Sequence, residues 1–211
     1  MKMEGRGHEE WFATNAKRIE EAYLRGTTPW ERSGVGLHNT RGVEYWRAIR
    51  QPIADLIDCS GSVLDIGCAN GYLLESLQQW LAERDVMIEP HGLDISSALL
   101  QEAKKRLPEA RFIHANVWGW KAERTYDVVI TELEYVPEQY HEFYLEGLLT
   151  EAVAREGRLI VTQYGSDLAK AVSLNEYLIS LGFVTGAVAK AEWDGKIKTI
   201  ACSITRNNSK L

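Results

Sequence analysis

Residues 63–77 read VLDIGCANGYLLESL and predict a buried strand, a loop of small residues and a helix, in that order. This arrangement is typical of nucleotide binding, because loop glycines let a ligand approach the backbone and the start of the helix offers free N–H groups. The small residues are Gly67, Ala69 and Gly71, whereas the dinucleotide fingerprint needs its last glycine one position later. Asp65, inside the strand, would repel a phosphate, so the pattern favours a ligand that carries a positive centre or hydroxyl groups.

The composition is that of a single globular domain, with 211 residues of which 45% are hydrophobic and 26% charged. A formal net charge of −6 argues against a protein that mainly binds nucleic acid, which usually carries a basic excess. No run approaches the roughly 20 apolar residues that cross a bilayer, and the charged N-terminus lacks a signal core. The cysteines at 59, 68 and 202 are too far apart to suggest a metal or redox pair. We therefore expect a soluble cytoplasmic protein with no membrane partner and no metal, and leave the oligomeric state open.

Predicted strands and helices alternate after residue 60. The strands cover 62–66, 87–95, 111–115, 126–131, 157–164, 183–193 and 196–205, and the helices cover 71–83, 96–107, 137–155 and 167–181. Asp194-Gly195, between the last two strands, is a hairpin-turn signal. We therefore predict an α/β fold with a doubly wound, mostly parallel seven-stranded sheet, an antiparallel terminal hairpin and helices on both faces. Ligands bind such sheets at the carboxyl ends of the strands.

Four segments at those strand ends occur in a familiar order. They are VLDIGCANGYLLESL, GLDIS (92–96), ARFIHANVWGW (110–120) and YDVVITELEYVPE (126–138). Together, over about residues 62–138, they resemble the class I, Rossmann-like S-adenosylmethionine-dependent methyltransferases. The resemblance implies S-adenosylmethionine as cofactor, which has no phosphate and carries a sulfonium, and so it accounts for the acid at position 65.

The resemblance also implies which residues contact the cofactor. The implied set is Asp65, Gly67, Cys68, Ala69 and Gly71 in the loop, Asp94 at the ribose hydroxyls, Ile95, Asn116 and Val117 around the adenine, and Glu132 after the fourth strand. Ala69 replaces a commoner glycine, and Asn116 stands where related enzymes often have an acid. Two local alternatives remain open, since Asp94 could simply cap the next helix and Asn116 could be a turn residue.

The segment before the first strand predicts a helix over 8–25, a turn-rich loop over 26–42 and a second helix over 43–57. We expect residues 1–58 to form a substrate-side segment and residues 59–211 the Rossmann-like methyltransferase domain, within one structural domain overall. Trp30 and His38 lie in the loop. The loop either acts as a helical lid segment together with its neighbours or is merely anchored by its one tryptophan.

No triad or metal-ligand spacing marks a catalytic residue. By location alone, the candidate bases are Glu132, Glu134, Tyr135 and His141, although a surface position is the default for His141. The candidates for the acceptor pocket are Tyr140 and Tyr164. The resemblance implies in-line methyl transfer to an oxygen or nitrogen, which depends mainly on proximity and alignment.

We expect a small-molecule acceptor because no RNA-binding module is appended. An RNA or protein acceptor and a non-catalytic nucleotide-binding relative stay open. A NAD-dependent oxidoreductase is disfavoured by Asp65 and by the absent GxGxxG.

Overall fold

The computed structural model describes residues 6–34, 41–169 and 173–205, and its described part contains one seven-stranded sheet. The strands are β1 (Gly61–Ile66), β2 (Ile88–Asp94), β3 (Arg111–His114), β4 (Tyr126–Glu132), β5 (Val153–Tyr164), β6 (Thr185–Trp193) and β7 (Lys196–Ile204). Their order across the sheet is β3-β2-β1-β4-β5-β7-β6. The winding reverses between β1 and β4, which is where a doubly wound sheet forms its ligand crevice.

Strands β1 to β5 pair in parallel, whereas β7 runs antiparallel to both β5 and β6. Asp194 and Gly195 both have positive φ angles, 52° and 66°, as the tight turn between two antiparallel strands requires. The predicted α/β class, the seven strands and the closing hairpin are thereby confirmed.

The helices are α1 (Arg6–Leu24), α2 (Gly42–Asp55), α3 (Tyr72–Ala82), α4 (Ser97–Arg106), α5 (His141–Glu151) and α6 (Leu174–Ser180). They cover both faces of the sheet, because alternate strand residues point to opposite sides. Val129 joins a buried cluster with Leu145 of α5, while its neighbour Val128 joins a second cluster with Leu77 of α3. Among the described residues, no helix is long and apolar enough to span a membrane.

Two predicted helices were too long. The helix expected over 137–155 is a short 3-10 turn, Glu138–Tyr140, followed by α5, and β5 already begins at Val153. The register shift between Tyr126 and Val128 accommodates this early start of β5. The helix expected over 167–181 is restricted to α6 within the described residues. Before it, Leu168 donates its backbone N–H to the Ile197 carbonyl, and this bond ties the segment to the sheet instead.

Candidate functional site

A cavity of about 620 Å³ lies at the carboxyl ends of the parallel strands, within the range of about 300–1,000 Å³ that is usual for small-molecule sites. Six of the residues that the sequence assigned to the cofactor line it: Gly67, Asp94, Ile95, Asn116, Val117 and Glu132. They come from the ends of β1, β2, β3 and β4. Strand topology therefore brings together residues that are up to 65 positions apart in the chain.

Asp94 ends β2 and is 7% exposed. Its Oδ2 accepts from the backbone N–H of Ala69 at 2.8 Å, and its Oδ1 accepts from that of Ser96 at 2.7 Å. Ser96 in turn caps α4 by accepting from the Leu99 N–H at 3.2 Å. A carboxylate offers about four lone-pair sites, so each Asp94 oxygen can still accept one further bond from the cavity side. Burial raises the pKa of Asp94, against the effect of the two N–H donors.

The loop after β1 is held tightly against β2. The N–H groups of Gly67 and Cys68 both donate to the Leu93 carbonyl, at 2.7 and 3.1 Å. Gly67 has a φ of 75°, and a Cβ there would lie 2.2 Å from Tyr135 Oη, so the position accepts only glycine. Of this loop, Gly67 alone reaches the large cavity, and Ala69 and Gly71 do not line it.

Asp65 lies beneath the cavity floor and is 3% exposed. It borders a second cavity of about 20 Å³, enough for a single water, which Cys68 also lines. Its carboxylate has no hydrogen-bond partner among the described residues. Burial, followed by the charges of Glu132 and Asp94, raises its pKa well above the ordinary range. The buried Asp65 carboxylate therefore lacks the polar partners that such a group usually has.

Glu132 ends β4 and borders both cavities. Tyr135 Oη donates to its Oε1 at 3.2 Å. Burial raises the pKa of Glu132 from 4.5 to about 7, although the nearby Arg50 guanidinium opposes this effect. Near neutral pH the group is therefore poised between its two protonation states, as a general base requires. By contrast, burial raises the pKa of Tyr135 well above its usual value.

The sequence reasoning missed Arg50. This α2 residue is 6% exposed, lines both cavities, and its guanidinium carbon lies 3.7 Å from the centre of the Tyr164 ring. It makes no hydrogen bond or ion pair with the described residues. A signal was available, because Arg50 follows the apolar spacing of Trp46, Ile49 and Ile53 and so places a charge on the buried face of α2.

The N-terminal helix forms the roof of the cavity. Its lining residues recur every three or four positions, as one face of a helix does: Phe12, Asn15, Ile19 and Tyr23. Glu20 accepts a hydrogen bond from Ser96 Oγ, which ties α1 to the start of α4. The prediction of a substrate-side N-terminal segment named none of these residues.

The other residues that the sequence suggested for catalysis or for the acceptor pocket lie in different places. Tyr164 and Glu134 line the large cavity. Trp30 packs near Tyr72 at 6.3 Å between ring centres, and Tyr140 packs against Trp118 at 4.9 Å, both away from the cavity wall. His38 lies outside the described residues.

The default surface position for His141 was wrong. The ring is 9% exposed, with Nδ1 2.8 Å from Tyr177 Oη and Nε2 3.2 Å from the Val136 carbonyl, because α5 packs this side of its first turn against α6. It does not line the cavity. Within the described ranges, no three His, Cys, Asp or Glu side chains are grouped as a metal site.

Part of the chain is similar in sequence to known methyltransferases. A family model described as a methyltransferase domain matches residues 63–157. Trans-aconitate 2-methyltransferases of Escherichia coli strains are 32% identical over 84 residues, which are 38% of this chain and 31% of the relative. The match thus spans about a third of the length of these curated relatives.

Solved structures share the fold at low sequence identity. The 1,6-didemethyltoxoflavin-N1-methyltransferase of Burkholderia thailandensis, with S-adenosylhomocysteine bound, has a TM-score of 0.68 at 13% identity and covers 98% of this chain and 94% of its own. The N-methyltransferase NodS of Bradyrhizobium japonicum, also with S-adenosylhomocysteine, has a TM-score of 0.61 at 12% identity, covering 91% of this chain and 98% of its own. Residues 63–157 therefore match a methyltransferase domain, and the sheet that contains them has the fold of the class I, Rossmann-like S-adenosylmethionine-dependent methyltransferases.

Proposed function

We propose that this protein transfers a methyl group from S-adenosylmethionine to an oxygen or nitrogen of a small molecule. The observation that carries the proposal is the meeting of Gly67, Asp94 and Glu132 at one cavity, above the partnerless Asp65 carboxylate. When bound, the cofactor supplies a sulfonium methyl group whose C–S bond breaks as the acceptor lone pair attacks the methyl carbon, which leaves a neutral thioether.

The residues of the cavity fit each part of this cofactor. Asp94 would accept from the two ribose hydroxyls with its remaining lone pairs, while Asn116 and Val117, with Ile95, would flank the adenine. The buried Arg50 guanidinium stacks on Tyr164 but forms no ion pair with the described residues, and it would pair with the cofactor carboxylate. Asp65 would reach the methionine end through one water, since its small cavity has room for one.

Glu132 is our candidate for the general base. Its pKa of about 7 allows it to accept a proton from a hydroxyl or ammonium acceptor at neutral pH. Tyr135 is a poor base since its pKa is raised, and His141 does not line the cavity. For an acceptor that carries no proton, Glu132 would contribute only its negative charge beside the sulfonium.

We also propose that residues 1–58 close the site. Beyond the α1 roof, the loop before α2 is fastened to the cofactor loop, because Asn70 Nδ2 donates to the Pro29 carbonyl at 3.0 Å and Ser33 Oγ donates to Asn70 Oδ1. Arg32 pairs with Glu102 of α4. A roof of this kind would exclude water and limit the acceptor to small molecules.

Calorimetry with S-adenosylhomocysteine and NADH tests the cofactor. We expect S-adenosylhomocysteine to bind, and tight NADH binding with no response to S-adenosylhomocysteine would refute the proposal. A screen with methyl-labelled cofactor against pools of small molecules, RNA and cell protein then tests the acceptor class. Label that enters only RNA or protein would contradict the small-molecule part.

A further inference from the structure

Lys198 is a buried cation on the cavity wall that the proposed chemistry leaves without a role. It is 8% exposed, and its ammonium donates to the backbone carbonyl of Ser166. Among the described residues no carboxylate forms an ion pair with it. A buried ammonium without a counter-charge is costly, so such a group usually faces an anion.

The strand order places Lys198 at the far end of the cavity from the cofactor residues. It is the third residue of β7, and because β7 is antiparallel, this start lies at the same edge as the carboxyl ends of β1, β4 and β5. Neighbouring strands are about 4.8 Å apart, so β7 lies about 10 Å from β4 and about 19 Å from β2. A group of a small acceptor can span from the Glu132 region to Lys198, whereas a ribose bound at Asp94 is out of reach.

The wall around Lys198 carries more positive than negative charge. The ends of β5 and β7 supply Tyr164, Gly165, Ser166 and Lys198 to the cavity, and Lys198 is the charged member of this set. Arg41 at the start of α2 and Arg50, which stacks on Tyr164, add two more cations. The acids that line the cavity belong to α1, the end of β2, the end of β4 and the turn after β4. This end of the cavity is therefore electropositive.

We propose that the methyl acceptor is a small organic acid whose carboxylate binds Lys198. The inference rests on the methyltransferase function proposed above and assigns its substrate class. The Ser166 carbonyl fixes the ammonium and leaves two of its three N–H donors for carboxylate oxygens. We choose a carboxylate over a phosphate because Lys198 is, among the described residues, the one charged side chain that the ends of β5 and β7 supply to the cavity, and a single ammonium neutralises a single negative charge.

The test compares acids with their uncharged esters. The full chain, saturated with S-adenosylhomocysteine, is titrated with a panel of small mono-, di- and tricarboxylic acids, trans-aconitate included, with their methyl esters and with phosphate monoesters of similar size. The same panel is assayed for labelled methyl transfer. We expect at least one acid to be methylated and to bind more than tenfold more tightly than its ester.

Three variants locate the contact. Lys198→Gln should raise the KM for that acid at least tenfold while its affinity for S-adenosylhomocysteine stays within twofold, and Lys198→Arg should restore part of the loss. Lys196→Gln, on the same strand but exposed, removes the same charge and should have no effect.

The outcomes separate the two proposals. If S-adenosylhomocysteine binds but no acid is preferred over its ester, or phosphate monoesters are preferred over the acids, the assignment to Lys198 and a carboxylate is wrong. Equal loss in Lys196→Gln would also overturn it. A chain that fails to bind S-adenosylhomocysteine would instead refute the methyltransferase function itself.

Discussion

The Glu132→Gln variant should become more stable, relative to the parent protein, as the pH rises. Burial raises the pKa of Glu132 from 4.5 to about 7, so the folded protein binds a proton that the unfolded chain has released between these pH values. The parent protein has its full stability from this group below about pH 4.5 and loses it as the pH rises through 7. At 1.36 kcal/mol per pH unit, the whole loss is about 3 kcal/mol, most of which falls between pH 5 and pH 8.

Glutamine does not titrate, and its Oε1 can still accept from Tyr135. The free energy of unfolding of Glu132→Gln, minus that of the parent, should therefore increase by about 2–3 kcal/mol from pH 5 to pH 8. Urea unfolding followed by tryptophan fluorescence measures it. Glu142→Gln removes a charge at an exposed position of α5 that does not line the cavity, where solvent screens it, and should show a much smaller change. If the difference in unfolding free energy between Glu132→Gln and the parent is the same at pH 5 and pH 8, the site does not destabilise the Glu132 carboxylate and the reasoning is refuted.

Three further changes test the proposed site. Asp94→Ala should weaken S-adenosylhomocysteine binding by about 1–3 kcal/mol in calorimetry, and unchanged affinity in a folded variant would remove Asp94 from the site. Arg50→Met keeps much of the length and apolar stem of the side chain, and it should weaken the binding of S-adenosylhomocysteine at least tenfold. The affinity for adenosine, which has no carboxylate, should stay within twofold. Equal losses for both ligands would contradict the pairing of Arg50 with the carboxylate. Deletion of residues 1–40 should leave the sheet folded by circular dichroism and reduce turnover, and full activity of the shortened chain would exclude a closing role for this segment.

The parts of the fold that follow from local pattern could be predicted from the sequence. Alternating strands and helices determined the class, and Asp194-Gly195 marked the hairpin, because the backbone angles that this turn needs are a local property. The end of the helix after Pro137 could not be predicted, since Val153 starts a strand through its pairing with Tyr126 of β4. That pairing is a tertiary effect that helix propensity does not contain.

The residues of the cavity also divide into those that the sequence could place there and those that it could not. Gly67, Asp94 and Asn116 could be placed because each stands at or just after the end of a strand, and carboxyl ends of parallel strands share one edge. Arg50 and Lys198 could not, because the spacing of α2 shows only that Arg50 is on a buried face, and nothing in either segment shows that the side chain faces this cavity. Arg50 reaches the cavity through the packing of α2 on Tyr164, and Lys198 through the loop after β5.

Asp65, Glu132 and Arg50 lie close together although burial of charged groups lowers the stability of the fold, and a ligand of the cavity explains why. Burial raises the pKa of both Asp65 and Glu132, the charge of Glu132 raises that of Asp65 further, and Arg50 is the cation that opposes both shifts. Arg50 nevertheless makes no ion pair with either acid among the described contacts and stacks on Tyr164 instead. If the three groups served stability alone, a direct ion pair or an apolar replacement would serve it better. A ligand that carries both a positive centre and a carboxylate would compensate the acids and the arginine at once, and the proposed methyl donor has both groups.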